Sequence, residues 1–312
     1  MLTVMILLLT CANTAVYAQQ DEQSKSAPAT TESKTAEKTD STAKSPSQIT
    51  IEIPAPAPLT QQHKEDLKHY LPSAKVKALL AGPDDYLTLI TENASVNNKG
   101  VMVLLPDWQQ GATNPKAINF LRNKLPQQGW TTIAIQPSSK PENYPSTALK
   151  VTEQQQENKT LLEDYQLKFS AMINAVISKA SEYPGIVVIV AQGNHGVMLV
   201  ELFDEQSSNP VSVMPNAVIL LSSYALTNQQ LVDTANSDFA KKIAYSEYPI
   251  LDLYLRYDHP IVLDKTKQRL ALAKKEMKVY YRQRQLNNSS VGYYPEQELM
   301  IQINSWLKSI GW

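Results

Sequence analysis

The sequence has only one cysteine, Cys11, in 312 residues. A single thiol excludes an internal disulfide and a cysteine-based zinc site, so a packed core must stabilise the fold, and a chain of this length can bury one. Glycine is also scarce, with nine residues, and no Walker or G-x-G-x-x-G sequence occurs. Because such glycine-rich loops cradle phosphates, their absence argues against a nucleotide cofactor, and we predict no cofactor of another kind.

Neither sign of charge is in excess, with 29 basic and 30 acidic side chains. A nearly neutral chain has no overall field that attracts nucleic acid or anionic lipid. Basic residues concentrate in residues 265–278 and 282–284, but at helical spacing among alanines and leucines, which is typical of a solvated helix face. We therefore expect no nucleic-acid partner, and predict an unidentified small molecule or protein instead.

The first 18 residues have the pattern of a signal peptide. An apolar run at residues 2–9 precedes a small-x-small cleavage pattern at residues 16–18, and the run is shorter than the roughly 20 apolar residues of a membrane span. No Lys or Arg precedes the run, which departs from the usual pattern. We expect cleavage after Ala18, export to the periplasm and no integral span in the mature chain. A lipid anchor on Cys11 is the alternative, which Thr10 directly before it disfavours.

Residues 19–64 are predicted to form a disordered, low-complexity linker. Ser, Thr, Lys, Glu, Ala and Pro dominate them, and no aromatic residue occurs between Tyr17 and Tyr70. Such a composition cannot bury enough apolar area to offset the entropy lost on ordering. The folded domain is accordingly predicted to cover residues 65–312.

Apolar strand patterns and amphipathic helix patterns alternate through this domain. Uninterrupted apolar strands, each followed by a helix, indicate an α/β fold: a three-layer sandwich around a mostly parallel, doubly wound sheet. The predicted strands are residues 86–91, 101–105, 131–135, 186–190, 217–221, 250–255 and 279–281. The predicted helices are residues 114–127, 155–180, a helix starting at 195, 228–245, 263–275 and 296–310.

Residues 186–196 are the most informative stretch, because a buried strand leads through a tight turn into an apolar helix. This is the layout of a nucleophile elbow, which presents a serine at the carboxyl end of a sheet, where such folds bind ligands. Gly193 occupies the nucleophile position, or Asn194 if Gly196 is taken as the second glycine of the motif, and neither residue has a hydroxyl. The sequence thus predicts the turn without its nucleophile.

Six stretches together resemble a known family. They are residues 104–108 (LLPDW), 125–137 (LPQQGWTTIAIQP), 186–196, 251–254 (LDLY), 281–283 (YRQ) and 303–307 (INSWL). In their order they are similar to the α/β-hydrolase superfamily and, within it, to an uncharacterised bacterial branch, domain of unknown function 3530. The resemblance runs from about Leu79 to the end of the chain and implies a hydrolase-like fold of unassigned activity.

The remaining parts of a hydrolase site are incomplete. Asp258 follows a strand where hydrolases carry the triad acid, although an Asp there is also typical of a helix cap or turn. No histidine follows the last strand, in residues 283–294, although His195 and His259 could reach the rim from other loops. Asp107 stands where hydrolases often have the glycine of an oxyanion hole, and a carboxylate there repels an oxyanion. Its alternative role is to cap the following turn.

These gaps leave two hypotheses. The first is an exported, hydrolase-like protein without a working Ser-His-Asp triad, a pseudoenzyme that binds a ligand or partner at the old active-site rim. The second is an esterase-type hydrolase with a displaced serine, Ser138, Ser222 or Ser223, served by His195 or His259. The rim residues predicted to contact a ligand are Asp107, Trp108, Asn194, Ser222 and Ser223, with Tyr144 and Tyr224 as further aromatic surface.

A metal site is a third arrangement that the residue types allow. His195, His259 and Asp258 could supply two imidazoles and one carboxylate, a known ligand set for metals. Their spacing does not place them on one helix face, so structural roles are the better interpretation and we predict no metal.

Overall fold

The computed structural model describes residues 56–207, 214–226 and 234–312. Its strands are β1 (Val76–Ala81), β2 (Asp84–Thr91), β3 (Gly100–Leu105), β4 (Trp130–Gln136), β5 (Ile186–Gln192), β6 (Ala217–Leu221), β7 (Ile250–Leu255) and β8 (Tyr281–Leu286). Its helices are α1 (Leu59–Tyr70), α2 (Ile118–Lys124), α3 (Val151–Ala180), α4 (Asn194–Gln206), α5 (Ala235–Tyr245), α6 (Pro260–Lys275) and α7 (Glu296–Ser309), with a 3₁₀ turn at Leu125–Gln128.

The strands form one sheet in the order β1-β2-β4-β3-β5-β6-β7-β8. Strands β3 to β8 pair in parallel, whereas β1 and β2 join as an antiparallel extension beside β4. Helices between the parallel strands cover both faces. The mostly parallel sheet between helical layers confirms the predicted fold class, and the parallel strands bring their carboxyl ends to one rim.

Alternate residues of each central strand enter opposite cores. In β3, Val101, Val103 and Leu105 face the core formed with α3, α4 and α5, whereas Met102 and Leu104 face the core formed with α1, α2 and α7. All five side chains are at most 1% exposed. Because burial of each such side chain contributes about 1.5–3 kcal/mol, strands that are apolar on both faces belong at the centre of a covered sheet.

The largest difference from the predicted strands is at the last one, predicted at residues 279–281. Strand β8 instead covers Tyr281–Leu286, whose sequence YRQRQL carries polar side chains because the strand lies at an edge of the sheet. Strand β1, at the opposite edge, was not predicted although its sequence VKALLA is mostly apolar, and its side chains are largely exposed. The predicted helix 114–127 is shorter, and ends in the 3₁₀ turn around Pro126.

The start of the described chain also differs from the prediction. Helix α1 begins at Leu59, ahead of the domain start predicted at residue 65, and buries Leu67 in the core. The predicted signal peptide, the lipid-anchor alternative at Cys11 and most of the linker lie outside the described residues, as does the first part of the helix predicted at 228–245. Within the described ranges, no helix is long and apolar enough to cross a membrane.

Candidate functional site

The elbow predicted at residues 186–196 is present as strand, turn and helix. Strand β5 ends at Gln192, helix α4 begins at Asn194, and Gly193 joins them with φ 60° and ψ −131°. This positive φ is strained for any residue with a side chain. A Cβ atom on Gly193 would also lie 2.6 Å from Cγ of Asp107. The backbone conformation thus favours glycine, and the Asp107 side chain leaves no room for a Cβ atom in this arrangement.

The carboxylate of Asp107 lies against the turn. Its Oδ1 accepts a hydrogen bond of 2.8 Å from the backbone nitrogen of Asn194, the first residue of α4. Burial raises the pKa of Asp107, although the backbone N–H groups of Asn194 and Trp108 oppose this by stabilising the charged form. The Asp107 side chain therefore caps α4 across the rim, in addition to its interaction with the N–H of Trp108 in the following turn.

The Asp107 carboxylate occupies a backbone amide that a hydrolase uses in catalysis. In α/β-hydrolases the amide of the residue after the nucleophile donates to the developing oxyanion. The equivalent amide here belongs to Asn194, and its hydrogen is already taken by Asp107. An oxygen of the protein itself occupies the place where an oxyanion would form.

His195 is a core residue rather than a base at the rim. It is fully buried, its Nδ1 lies 2.5 Å from the carbonyl oxygen of Pro106, and its Nε2 lies 2.8 Å from the hydroxyl of Tyr165. Desolvation lowers the pKa of His195 to about 4. Because a carbonyl only accepts, Nδ1 carries the proton of the neutral ring, and the single Tyr165 proton serves either Nε2 or the carbonyl of Ser138, also 2.8 Å away.

Asp258 lies after β7, where the sequence places a triad acid, but neither carboxylate oxygen is hydrogen-bonded to an imidazole ring. Oδ2 accepts hydrogen bonds from the Ser222 hydroxyl at 2.6 Å and from the backbone nitrogen of Leu255 at 2.8 Å. Oδ1 accepts from the backbone nitrogen of His259 at 2.7 Å. Asp258 therefore organises the turn after β7 and holds Ser222.

Tyr294 is the residue at this site that sequence reasoning missed. It follows β8, where a hydrolase carries its catalytic histidine, and its hydroxyl lies 2.6 Å from the Ser222 hydroxyl. Since the Ser222 proton points to Asp258, Tyr294 donates to Ser222. Burial, with Asp258 nearby, raises the pKa of Tyr294 well above 10. In the sequence, only the position of Tyr294 after the last strand indicates a role at the site, because its residue type does not.

His259 is on the outside of the rim. It is exposed, and its Nδ1 accepts from the backbone nitrogen of Ile261 at 3.3 Å as the cap of α6. Its ring stacks on Tyr224 with centroids 4.4 Å apart. Neither the His195 ring nor the His259 ring is hydrogen-bonded to the Asp258 carboxylate, and among the residues that the structure describes no group of His, Cys, Asp and Glu could hold a metal.

The other two candidate serines have no imidazole partner in the described part of the chain. The Ser223 side chain is fully buried and its hydroxyl has no hydrogen-bond partner there. It packs against α4 so closely that a Cβ on Gly196 would lie 2.0 Å from its oxygen. The Ser138 hydroxyl lies 3.5 Å from that of Tyr86. Neither serine is arranged as an activated nucleophile.

A cavity of about 680 Å³ opens beside the elbow, between α3, α4 and α5. Trp108 and Tyr144, predicted as contact surface for a ligand, are only 3% and 9% exposed and line this cavity. Asn194 lines it too, so the cavity begins at the residue that Asp107 caps. Of the predicted rim residues, Trp108 and Asn194 line the cavity and Asp107 contacts it only through its hydrogen bond to Asn194, whereas Ser222 belongs to the separate cluster with Asp258.

Solved structures of similar fold include hydrolases. TT1662 from Thermus thermophilus is 12% identical with a TM-score of 0.52, and the match covers 75% of this chain and 98% of that one. Dienelactone hydrolase from Anabaena variabilis is 13% identical with a TM-score of 0.51, covering 75% and 96%. The esterase Est2 from Thermogutta terrifontis is 13% identical with a TM-score of 0.53, covering 78% and 95%. At these identities the likeness shows the α/β-hydrolase fold alone.

No curated protein matches the sequence. A family profile does match, over residues 1–309, and its description is "Protein of unknown function (DUF3530)". This agrees with the resemblance of the six sequence stretches and with the hydrolase-like sheet. The chain therefore belongs to the DUF3530 family and has an α/β-hydrolase fold.

Proposed function

We propose that this protein is a binding protein built on a hydrolase scaffold, and that it does not hydrolyse its ligand. The observation that carries the proposal is the hydrogen bond from the Asn194 amide to the Asp107 carboxylate. The Asp107 carboxylate occupies the oxyanion position, and Gly193 provides no reactive atom at the nucleophile position. The cavity beginning at Trp108 and Asn194 supplies a place for a ligand next to this closed site.

The nucleophile, the base and the oxyanion donors of a hydrolase act together, so the effects of their removal on turnover are not additive. Removal of one oxyanion donor costs about 10²–10³ in turnover in a serine protease, and here the amide is occupied and the nucleophile and base positions hold Gly193 and Tyr294. A pKa well above 10 keeps Tyr294 protonated at neutral pH, so it cannot accept a proton from a serine. This combination supports binding over turnover.

A displaced-serine esterase is the second candidate, and one observation favours it. Ser222 has φ 48°, a strained conformation for a non-glycine residue, and its hydroxyl bonds directly to Asp258. Strain of this kind often accompanies functional sites. Its weakness is that the described neighbours of Ser222 include no imidazole, and the amide expected to stabilise an oxyanion is bonded to Asp107.

Labelling with a fluorophosphonate probe and assays with a panel of 4-nitrophenyl esters test the proposal. We expect neither labelling nor turnover by the wild-type chain. Covalent labelling that is lost in Ser222→Ala but kept in Ser223→Ala would establish the displaced-serine esterase instead. The matched control is Ser223→Ala, because that neighbouring hydroxyl is buried and inaccessible.

Restoring the nucleophile tests the role of Asp107. Gly193→Ser alone is expected to stay unlabelled, because the new side chain meets the Asp107 carboxylate. Gly193→Ser combined with Asp107→Gly removes that contact and frees the Asn194 amide. Without a histidine after β8, we expect the double variant also to turn over no ester. Turnover by Gly193→Ser alone would contradict the proposal that Asp107 closes the site.

We also propose that the chain is exported to the periplasm by a cleaved signal peptide, as its first 18 residues predict. Expression of the full chain in a Gram-negative host, followed by fractionation and mass spectrometry, tests this. We expect a periplasmic product beginning at Gln19. A product that retains residues 1–18 in the cytoplasm would refute export, and a lipidated product beginning at Cys11 would establish the anchor instead.

A further inference from the structure

We infer that the cavity between α3, α4 and α5 binds an uncharged, largely hydrocarbon molecule. Its depth is formed by apolar side chains that are themselves almost completely buried. Trp108, Met198 and Phe239 are 3%, 7% and 2% exposed, and Leu162 and Val197 extend the apolar lining towards the surface. A volume of about 680 Å³ lies within the range of about 300–1,000 Å³ typical of small-molecule sites.

The charged side chains of the described lining are already paired. Lys242 Nζ lies 3.1 Å from a carboxylate oxygen of Glu201, and Lys159 Nζ lies 3.8 Å from one of Glu163. The carboxylate of Asp238 lies 3.0 Å from Lys241. A ligand with a charged group would have to compete with these pairs and lose hydration on entering. The lining thus offers an uncharged ligand apolar contact, whereas a charged ligand competes with ion pairs that are already formed.

The charged side chains that line the cavity disfavour the binding of an anionic ligand in particular. Two lysines and three acidic side chains line the described part of the cavity. The acidic Glu201 is also held by Gln166, whose Nε2 donates to it at 2.8 Å. Because like charges repel and neither lysine is unpaired, a carboxylate such as that of a fatty acid is disfavoured relative to its alcohol.

The wall beside the elbow is held in place by hydrogen bonds within the protein. Both backbone groups of Leu226 are bonded, the nitrogen to Asn194 Oδ1 at 2.8 Å and the carbonyl to the Tyr144 hydroxyl at 2.9 Å. The ring of Trp108 packs edge-on against Tyr144, with centroids 5.6 Å apart. Preorganised walls reduce the entropy that is lost when a ligand binds.

This inference rests on the proposed function, since it names the ligand class of the same rim. The probe is N-phenyl-1-naphthylamine, an uncharged apolar fluorophore, titrated into the full chain. We expect saturable binding at one site, and displacement by 1-dodecanol at a concentration at least about tenfold below that needed for dodecanoate or dodecylammonium, a difference of about 1.4 kcal/mol. Equal or better displacement by either ion would overturn the ligand class.

A pair of variants on α3 locates the site. Leu162→Trp places a large ring in the cavity, and Leu167→Trp places the same ring on the same helix at a position that is 75% exposed and outside the lining. We expect Leu162→Trp to weaken probe binding by at least about tenfold, and Leu167→Trp to leave it unchanged. Equal binding by both variants would overturn the site, and their far-ultraviolet circular dichroism checks that both are folded.

Hydrolysis is measured separately, so that the two proposals can fail independently. With 4-nitrophenyl decanoate we expect competition with the probe and no release of nitrophenol. Competition with release would refute the non-catalytic function while supporting the ligand class. Absence of any probe binding would refute the ligand class, but it would not contradict the proposal that the protein is non-catalytic.

Discussion

Tyr281 at the start of β8 donates a hydrogen bond of 2.9 Å to the buried carboxylate of Asp252 in β7. Gln283 Nε2 donates to the same oxygen at 2.9 Å. Arg269 of α6 completes the network, with its Nε 2.8 Å from that carboxylate, and both charged side chains are fully buried. Two of the stretches that resemble the family, residues 251–254 and 281–283, therefore meet in one structural network that joins the last two strands to α6.

Removing the cation of this network should destabilise the protein strongly. We expect Arg269→Met to lower the free energy of unfolding by about 3–5 kcal/mol, because it leaves the buried charge of Asp252 without its counter-ion. Urea unfolding followed by circular dichroism measures the effect. Lys274→Met, on the exposed side of the same helix, is the control and should change the free energy of unfolding by less than about 0.5 kcal/mol.

A double variant separates the charge from the packing. Asp252→Asn combined with Arg269→Met keeps an acceptor for Tyr281 and Gln283 but buries no ion. We expect it to recover at least about 1 kcal/mol relative to Arg269→Met alone. A double variant as unstable as the single one would mean that Arg269 contributes through packing, as its guanidinium lies 5.7 Å from the ring of Phe239.

The buried imidazole of His195 predicts a dependence of stability on pH. Its pKa is lowered to about 4 in the folded chain, against 6.5 for an unperturbed histidine. The unfolded state therefore binds more protons between these values, and stability is lost as the pH falls from 6.5 towards 4. The loss amounts to about 3 kcal/mol when integrated over this range.

The difference between wild type and His195→Asn isolates this contribution from that of other groups, including Asp107, whose raised pKa acts in the opposite direction. We expect the variant to lose less stability than the wild type between pH 7 and pH 4.5. If His195→Asn keeps the wild-type slope, His195 is not the group that titrates.

The contact between Gly193 and Asp107 predicts an interaction between two substitutions. Gly193→Ala alone should destabilise by about 1–3 kcal/mol from its positive φ, with a further cost from the 2.6 Å approach to the carboxylate. In Asp107→Gly that approach is absent, so Gly193→Ala should then cost less. A double-mutant cycle measured by thermal unfolding gives the coupling, and strictly additive effects would refute the contact.

Ser222 and Ser223 are neighbours in sequence, but their substitution should have opposite effects. Ser222→Ala removes hydrogen bonds to both Asp258 and Tyr294 and leaves the buried Tyr294 hydroxyl without this acceptor. We expect a loss of about 1–3 kcal/mol in the free energy of unfolding. Ser223→Ala removes a buried hydroxyl that has no described partner, so it should be neutral or stabilising. Equal losses for the two variants would contradict this assignment.

The sequence was sufficient for the features that depend on apolar patterning. Continuous apolar runs located the central strands from β3 to β7, because strands covered on both faces exclude polar residues. The elbow was found from its strand, turn and helix. The position of strand β8 was predicted wrongly because its sequence, YRQRQL, contains no apolar run. Its polar side chains Tyr281 and Gln283 instead donate hydrogen bonds to Asp252.

Features that depend on contacts between distant residues were beyond the sequence. Asp107 precedes Asn194 by 87 positions, and nothing local shows that its side chain caps α4. The cavity likewise depends on how α3 and α5 pack around α4. Tyr294 was not predicted because a tyrosine after the last strand belongs to no catalytic pattern that would mark it.

The position of helix α1 determines which end of the sheet faces a solid surface when the chain is attached to that surface through its first described residues. Ser139, just after β4, donates its backbone N–H to Thr60 of α1 at 3.0 Å, at the carboxyl end of the sheet. Ser309, near the end of α7, instead accepts from Arg282 at the start of β8, at the amino end of the sheet. Attachment through the first described residues therefore turns the end of the sheet that carries the elbow towards the support, whereas attachment through Trp312 presents it to solution.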